Sequence, residues 1–223
     1  ILLKGLERLE YRGYDSAGLA LIDGDNLSCI KQSGKVSELN SKIEKISMKG
    51  SYGIAHTRWA THGPPNDTNA HPHLDQTGKI ALVHNGIIEN YSSIKMTLES
   101  RGLKFTSDTD TEVLVQLISE LYYNNDKKVS FENAVKAALQ EVVGAYGIVA
   151  ICVDEPDKMV AARMGSPLVL GVGDGEYLLA SDASPIIDYT RNVIYLEDDE
   201  FVKIDHSGYE ISNINSADVI TKT

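Results

Sequence analysis

Apolar positions along the chain switch between a helical and a strand period, and the switches mark the elements. Leu2, Leu3, Leu6 and Leu9 recur at helical spacing with Lys4, Glu7, Arg8 and Glu10 between them. The chain therefore opens on a helix that no capping residue precedes, and Gly13 is placed to end it. Apolar runs at 19–22 and 27–30 flank the turn cluster Asp23-Gly24-Asp25-Asn26 and predict a β-hairpin. Residues 35–46 are weakly helical, and 51–59 read as a strand with Gly53 inside it. Between 60 and 78 stand Gly63, Pro64, Pro65, Pro72 and Gly78, which predict a long loop. Long loops within compact domains often carry function.

A strand is predicted at 79–84 and a short helix at 94–102. Thr109 and Glu112 then form a capping box ahead of an apolar stripe of Val113, Leu114, Leu117, Ile118 and Leu121. Residues 130–143 are a third amphipathic helix, with Phe131, Ala134, Val135, Ala138 and Leu139 on one side. Six short strands follow at 146–153, 159–162, 168–172, 177–180, 193–196 and 201–204. The brief turns between most of them favour antiparallel pairing. Residues 206–223 lose the pattern and read as an outgoing linker. Strands, then helices, then strands again predict an α+β fold with sheets packed face to face and helices outside.

Length and composition narrow the class. The 223 residues make one large domain the leading expectation. The net charge of −11 disfavours a nucleic-acid partner and a basic membrane anchor. The longest fully apolar run, 148–153, falls far short of a membrane span. Cys29 and Cys152 both lie in predicted strands, which reads as two buried free thiols in a reducing, cytoplasmic compartment. No secretory signal is visible, and a first residue other than Met leads us to expect a fragment or a processed form.

Candidate chemistry concentrates in one window. Five of the six histidines, His56, His62, His71, His73 and His84, fall between 56 and 84, together with Arg58, Trp59, Asn69 and Asn85. Their spacing argues against a metal, since there is no His-Glu-x-x-His and no paired cysteine nearby. Arg58 ends a strand ahead of the loop, where its planar fork can meet a carboxylate or merely form a surface ion pair. Trp59, the single tryptophan, reads as a core or loop anchor, or as a lid. Asn85-Gly86 is the preferred type I′ hairpin turn. It can equally be an oxyanion hole, with the Asn85 carboxamide and the Gly86 N–H as paired donors. Asp110 is explained by the helix macrodipole alone, yet it could also receive an ammonium group. Residues 171–175, Gly-Val-Gly-Asp-Gly, lead into a strand rather than a helix, so a β-turn fits them better than a nucleotide loop.

Taken together, five segments resemble the class II glutamine amidotransferases. They are Tyr11-Arg12-Gly13-Tyr14-Asp15-Ser16-Ala17-Gly18, Arg58-Trp59-Ala60-Thr61-His62-Gly63, His84-Asn85-Gly86-Ile87-Ile88-Glu89-Asn90, Thr109-Asp110-Thr111-Glu112 and Gly144-Ala145-Tyr146-Gly147. The order matches over about residues 1–205, and the second and third segments look more like the fructose-6-phosphate branch than the phosphoribosyl-pyrophosphate branch. The resemblance implies an N-terminal-nucleophile hydrolase fold, a four-layer sandwich of two antiparallel sheets between helix layers. It implies an amidotransferase domain over 1–205 that lacks its N-terminal strand, and a linker over 206–223 toward a sugar-phosphate isomerase domain.

It also implies a reaction. A thiolate attacks the carboxamide of L-glutamine, ammonia leaves, and water resolves the thioester to glutamate. The implied roles are Arg58 for the α-carboxylate, Thr61 and His62 for the loop around it, and Asp110 for the α-ammonium. Asn85 and Gly86 form the oxyanion hole, and Trp59 lies over the ammonia exit. His71 matches a family loop histidine with no role assignable from spacing. No cofactor is implied, and a homodimer is compatible. The family nucleophile is an N-terminal Cys. Ile1 matches the interior of the first helix, and neither Cys29 nor Cys152 stands in for that Cys, so the chain as printed is expected to be inactive. A non-catalytic amino-acid-binding module of the same fold, or an amidotransferase for another acceptor, are the competing readings.

Overall fold

The computed structural model describes residues 1–46, 48–60, 63–124, 129–216 and 219–220. The opening helix α1 (Leu2–Leu9) buries Leu6, and a short 3-10 turn carries it to Gly13, whose φ of +89° breaks the helix. The predicted hairpin is β1 (Ser16–Asp23) and β2 (Asn26–Ser33), paired from Asp23↔Asn26 to Ser16↔Ser33. Helix α2 (Val36–Ile46) and strand β3 (Tyr52–Arg58) follow, and β3 pairs with the other edge of β1. Among its described residues the loop contains one strand, the two-residue β4 (His73–Leu74).

Strand β5 (Ile80–Ile88) runs four residues past its predicted end, straight through Asn85-Gly86. The hairpin-turn reading of that dipeptide is thereby excluded. Helix α3 (Tyr91–Ser100) leads to α4 (Asp110–Tyr123), where Thr109 Oγ1 accepts the N–H of Glu112 as the capping motif predicts. Only half of the box forms. The Glu112 carboxylate does not return to Thr109 but accepts from the N–H and hydroxyl groups of Thr106 and Ser107 at 2.6–3.0 Å. Helix α5 (Phe131–Gln140) stops three residues earlier than expected. Asn90 takes over there, donating to Glu141 O at 2.8 Å and accepting from Val143 N at 2.9 Å, and so turns the chain into β6 (Gly144–Cys152).

The remaining strands are β7 (Met159–Met164), β8 (Val169–Val172), β9 (Tyr177–Ala180), β10 (Val193–Tyr195), β11 (Glu200–Asp205), β12 (Gly208–Asn213) and β13 (Val219–Ile220). The glycines at 171–175 lie in the β8–β9 hairpin. The stretch read as a linker instead contributes β12, fully paired with β11, and β13 beyond it. Of these two only β13 stands at the sheet edge, and β12 is paired on both flanks.

The described strands form three hydrogen-bonded sheets rather than two: β2-β1-β3, β10-β8-β9, and the seven-stranded β13-β12-β11-β7-β6-β5-β4. Strict alternation divides the large sheet. One face, with Ala81, Val83, Val149, Ile151, Ala161 and Val202, packs on Ala20, Ile22 and Ile54 of one small sheet and Leu170 of the other. The opposite face, with Ile80, Leu82, Ile148 and Phe201, packs on Leu114, Ile118, Phe131 and Val135 of α4 and α5. Leu6, Val36 and Leu39 of α1 and α2 cover the outside of β1 and β2. The two small sheets thus share one layer, and the order is helices, split sheet, large sheet, helices.

Candidate active site

A cavity of about 400 Å³ opens between the two sheet layers, and Arg58, Trp59, Asn85, Gly86 and Asp110 all line it. Five of the seven residues predicted from sequence therefore meet in one place. Thr61 and His62 lie outside the described residues.

Arg58 is the last residue of β3 and is only 4% exposed. Asp15, one residue before β1, brings it into place. Asp15 N donates to Arg58 O at 2.8 Å, its Oδ1 lies 4.0 Å from an Arg58 guanidinium nitrogen, and its Oδ2 accepts the Ala60 N–H. One carboxylate thus fixes both the end of β3 and the first step of the loop. Burial lowers the guanidinium's pKa, and Asp15 and Asp110 act against that shift.

Asp110 begins α4, is buried, and does more than complement the helix dipole. Its Oδ2 accepts the N–H of Ile88 at 2.9 Å, tying the helix start to β5. That bond also reveals the geometry of Gly86. Ile80 N donates to Asp75 and Ile88 N to Asp110, both on the side of β5 away from β6. Gly86 has the same parity, so its N–H points to that side, beyond the two residues that β4 covers. A side chain at position 86 is excluded by a φ of +124° and by Ala145 O, 2.1 Å from where its Cβ would stand. Asn85 has the opposite parity and faces β3, where His56 Nε2 lies 2.7 Å from its Oδ1.

His56, His71 and His73 pack around this site as neutral rings. His56 and His71 have ring centroids 4.5 Å apart, and His71 and His73 are 5.0 Å apart. His71 Nε2 and His84 Nδ1 lie 2.8 and 3.0 Å from Thr111 Oγ1, and His73 Nε2 lies 3.0 Å from Thr109 Oγ1. Burial lowers the pKa of His56 to about 4 and those of His71 and His73 well below the ordinary value. Among the described residues no group of three His, Cys, Asp or Glu side chains is arranged to hold a metal ion.

Trp59 is 67% exposed at the cavity rim, with its six-membered ring over Gly13. Neither cysteine lines the cavity. Cys152 lies in the core beneath α4 and α5, and burial pushes the Cys29 thiol up to about 11, so neither is a thiolate near neutral pH. Sequence reasoning missed Asp15, His56 and Thr111 as site residues. Asp15 stood within a quoted segment and His56 within the histidine cluster. The partner that defines each is remote in the chain: Arg58, Asn85 and the pair His71 and His84.

The cavity thus offers a buried cation, a buried carboxylate and two amide-type donors. That set complements a zwitterionic amino acid bearing a carbonyl group. A family model described as "Glutamine amidotransferase domain" matches residues 56–188. The chain is 50% identical over 221 residues to glutamine–fructose-6-phosphate aminotransferase [isomerizing] of Chlorobaculum tepidum, covering 98% of this chain and 36% of that protein. It is 52% identical over 220 residues to the protein of the same name from Bacteroides thetaiotaomicron, covering 98% and 35%. The chain therefore spans about a third of the length of these curated relatives. Among solved structures it is similar to the glutamine phosphoribosylpyrophosphate amidotransferase of B. subtilis, solved with ADP and GMP. The TM-score is 0.81 at 27% identity, over 97% of this chain and 46% of that one.

Proposed function

The chain belongs to the glutamine amidotransferase domain family, with its N-terminal-nucleophile fold, and on that premise we propose that it binds L-glutamine in the cavity at Arg58 and Asp110 and activates its carboxamide. Arg58 takes the α-carboxylate through its guanidinium fork, and Asp110 takes the α-ammonium. The side-chain carbonyl then meets the Asn85 carboxamide N–H and the Gly86 N–H. As a thiolate adds to the amide carbon, the carbonyl oxygen becomes an oxyanion, and both donors hold the new charge. Ammonia leaves, a thioester remains, and water converts it to glutamate. Cys29 and Cys152 are not that thiolate, because neither reaches the cavity. Trp59 covers the path by which ammonia departs.

For the whole protein we infer delivery of that ammonia to fructose 6-phosphate on a sugar-phosphate isomerase domain C-terminal to this amidotransferase domain. The names of the relatives support this. We further infer a cytoplasmic protein that forms homodimers. No described helix is long and apolar enough to cross a membrane.

The observation that carries the glutamine reading is the pair of buried opposite charges, Arg58 and Asp110, on one cavity. Arg58→Ala in the full-length protein tests it. Loss of a charge-assisted fork costs about 3 kcal/mol, so the KM for glutamine rises about 100-fold. An unchanged KM for glutamate release overturns the assignment of the clamp. Glutamine binding by the wild-type protein without glutamate release would establish the non-catalytic module instead.

A further inference from the structure

An asparagine that stabilises an oxyanion has a weakness that a backbone N–H lacks. Its carboxamide is nearly symmetric in shape, and a half-turn about χ2 exchanges donor for acceptor. If Asn85 turned its Oδ1 to the cavity it would repel the developing charge. Something must therefore hold Oδ1 elsewhere. The group in contact with it is the imidazole of His56, with Nε2 at 2.7 Å. We propose that His56 is a positioning residue that, as its Nε2–H tautomer, holds Asn85 Oδ1 and thereby aims the Asn85 N–H at the substrate carbonyl.

The surroundings of the ring select that tautomer. His56 Nδ1 is sealed from solvent and has no hydrogen-bond partner among the described residues. A proton there would be a buried donor with nothing to receive it. Nε2 would then present a lone pair to the Asn85 oxygen, and the carboxamide would flip. With the proton on Nε2 the short contact becomes a hydrogen bond, and only a lone pair stays unused at Nδ1. The doubly protonated ring is suppressed as well. Burial opposes the charge, and His84 and Arg58 add to that, against weaker support from Asn85 and Asp15. The neighbouring His71 ring, itself neutral, closes one side. The backbone makes the arrangement rigid, since His56 is locked in register opposite Gly18 in β3 and Asn85 opposite Gly147 in β5.

This inference rests on the oxyanion role proposed for Asn85, and the experiment separates the two. Glutamine hydrolysis is measured in the full-length protein for Asn85→Ala, His56→Gln and His56→Asn. The amide nitrogen of Gln reaches the place of a histidine Nε2, whereas that of Asn reaches only the place of Nδ1. Asn85→Ala and His56→Asn are each expected to lower kcat by about 10²-fold. The KM of His56→Asn stays within about threefold, because the groups that bind the zwitterion are intact, and His56→Gln recovers most of kcat. If Asn85→Ala leaves kcat unchanged, the oxyanion reading itself falls, and this proposal with it. If Asn85→Ala is impaired but His56→Asn is not, or if the Gln and Asn variants are impaired alike, the positioning role alone is overturned. A long-range proton–nitrogen spectrum of the wild-type protein tests it without any variant. The Nε2–H form is expected for His56, and an Nδ1–H form overturns the proposal.

Discussion

Trp59 rests where a side chain at position 13 would have to go. A Cβ on Gly13 would stand 2.3 Å from the indole ring, and the φ of +89° at that residue is one that L side chains rarely adopt. Gly13→Ala is therefore expected to lift the indole from its seat and to cost about 1–3 kcal/mol of stability. Because Trp59 is the single tryptophan, the test is direct. Its fluorescence should become more accessible to acrylamide and the melting temperature should fall, whereas unchanged quenching would show that the ring is held by something else. Residues of this kind mark the limit of sequence reading. Gly13 is legible as a helix terminator and Trp59 as an anchor, but that one seats the other is not, since 45 residues separate them and no periodicity links them. Arg58 and Asp110 were legible as charges suited to an amino acid. Asp15 was not, because an acidic residue before a strand has no distinctive spacing.

At the scale of elements, the segment before α4 depends on one side chain. The Glu112 carboxylate is 4% exposed and receives two backbone N–H groups and two hydroxyls from Thr106 and Ser107. In Glu112→Ala the hydroxyls can turn elsewhere, but the two N–H groups cannot. The expected loss is about 3 kcal/mol, seen as a lower urea midpoint. An unchanged midpoint would mean that water replaces the carboxylate. The capping pattern of Thr109 and Glu112 located this helix from sequence because the N-cap bond is local. What Glu112 does instead of closing the box was hidden, since it depends on how residues 106 and 107 curl back. Asn85-Gly86 makes the same point for strands. The dipeptide suits a turn, and only its pairing with Gly147 and Tyr146 on β6, some 60 residues away, keeps it extended.

At the scale of the molecule, the buried histidines set the response to acid. His71 and His73 are 5% and 3% exposed, and burial holds both neutral in the folded state. Their folded pKa values are depressed, so they contribute stability above the unfolded value of about 6.5 and lose it as pH falls. Below that value the unfolded chain binds protons that the folded chain refuses, which costs about 1.4 kcal/mol per pH unit for each ring. The melting temperature is expected to drop steadily below pH 6.5. Replacing His73 by Gln should flatten the slope by one ring's share, and an unaltered slope would place the acid sensitivity elsewhere. The layered α+β architecture was legible in the order of strands and helices. The division of one layer into two small sheets and the addition of β12 were not, because edges and breaks are decided by which strands find partners.

Thr109, Asp110, Thr111 and Glu112 each hold a different part of the molecule: His73, Ile88 of β5, His71 with His84, and the segment at 106–107. An ordinary amphipathic helix lets its sequence drift on the outer face, so tolerated changes recur every third or fourth position. Here that rhythm has no place to begin. Over the N-cap and first residues of α4 every side chain is answerable to a separate contact, so a single change at any of these four positions breaks a tie to a different part of the fold.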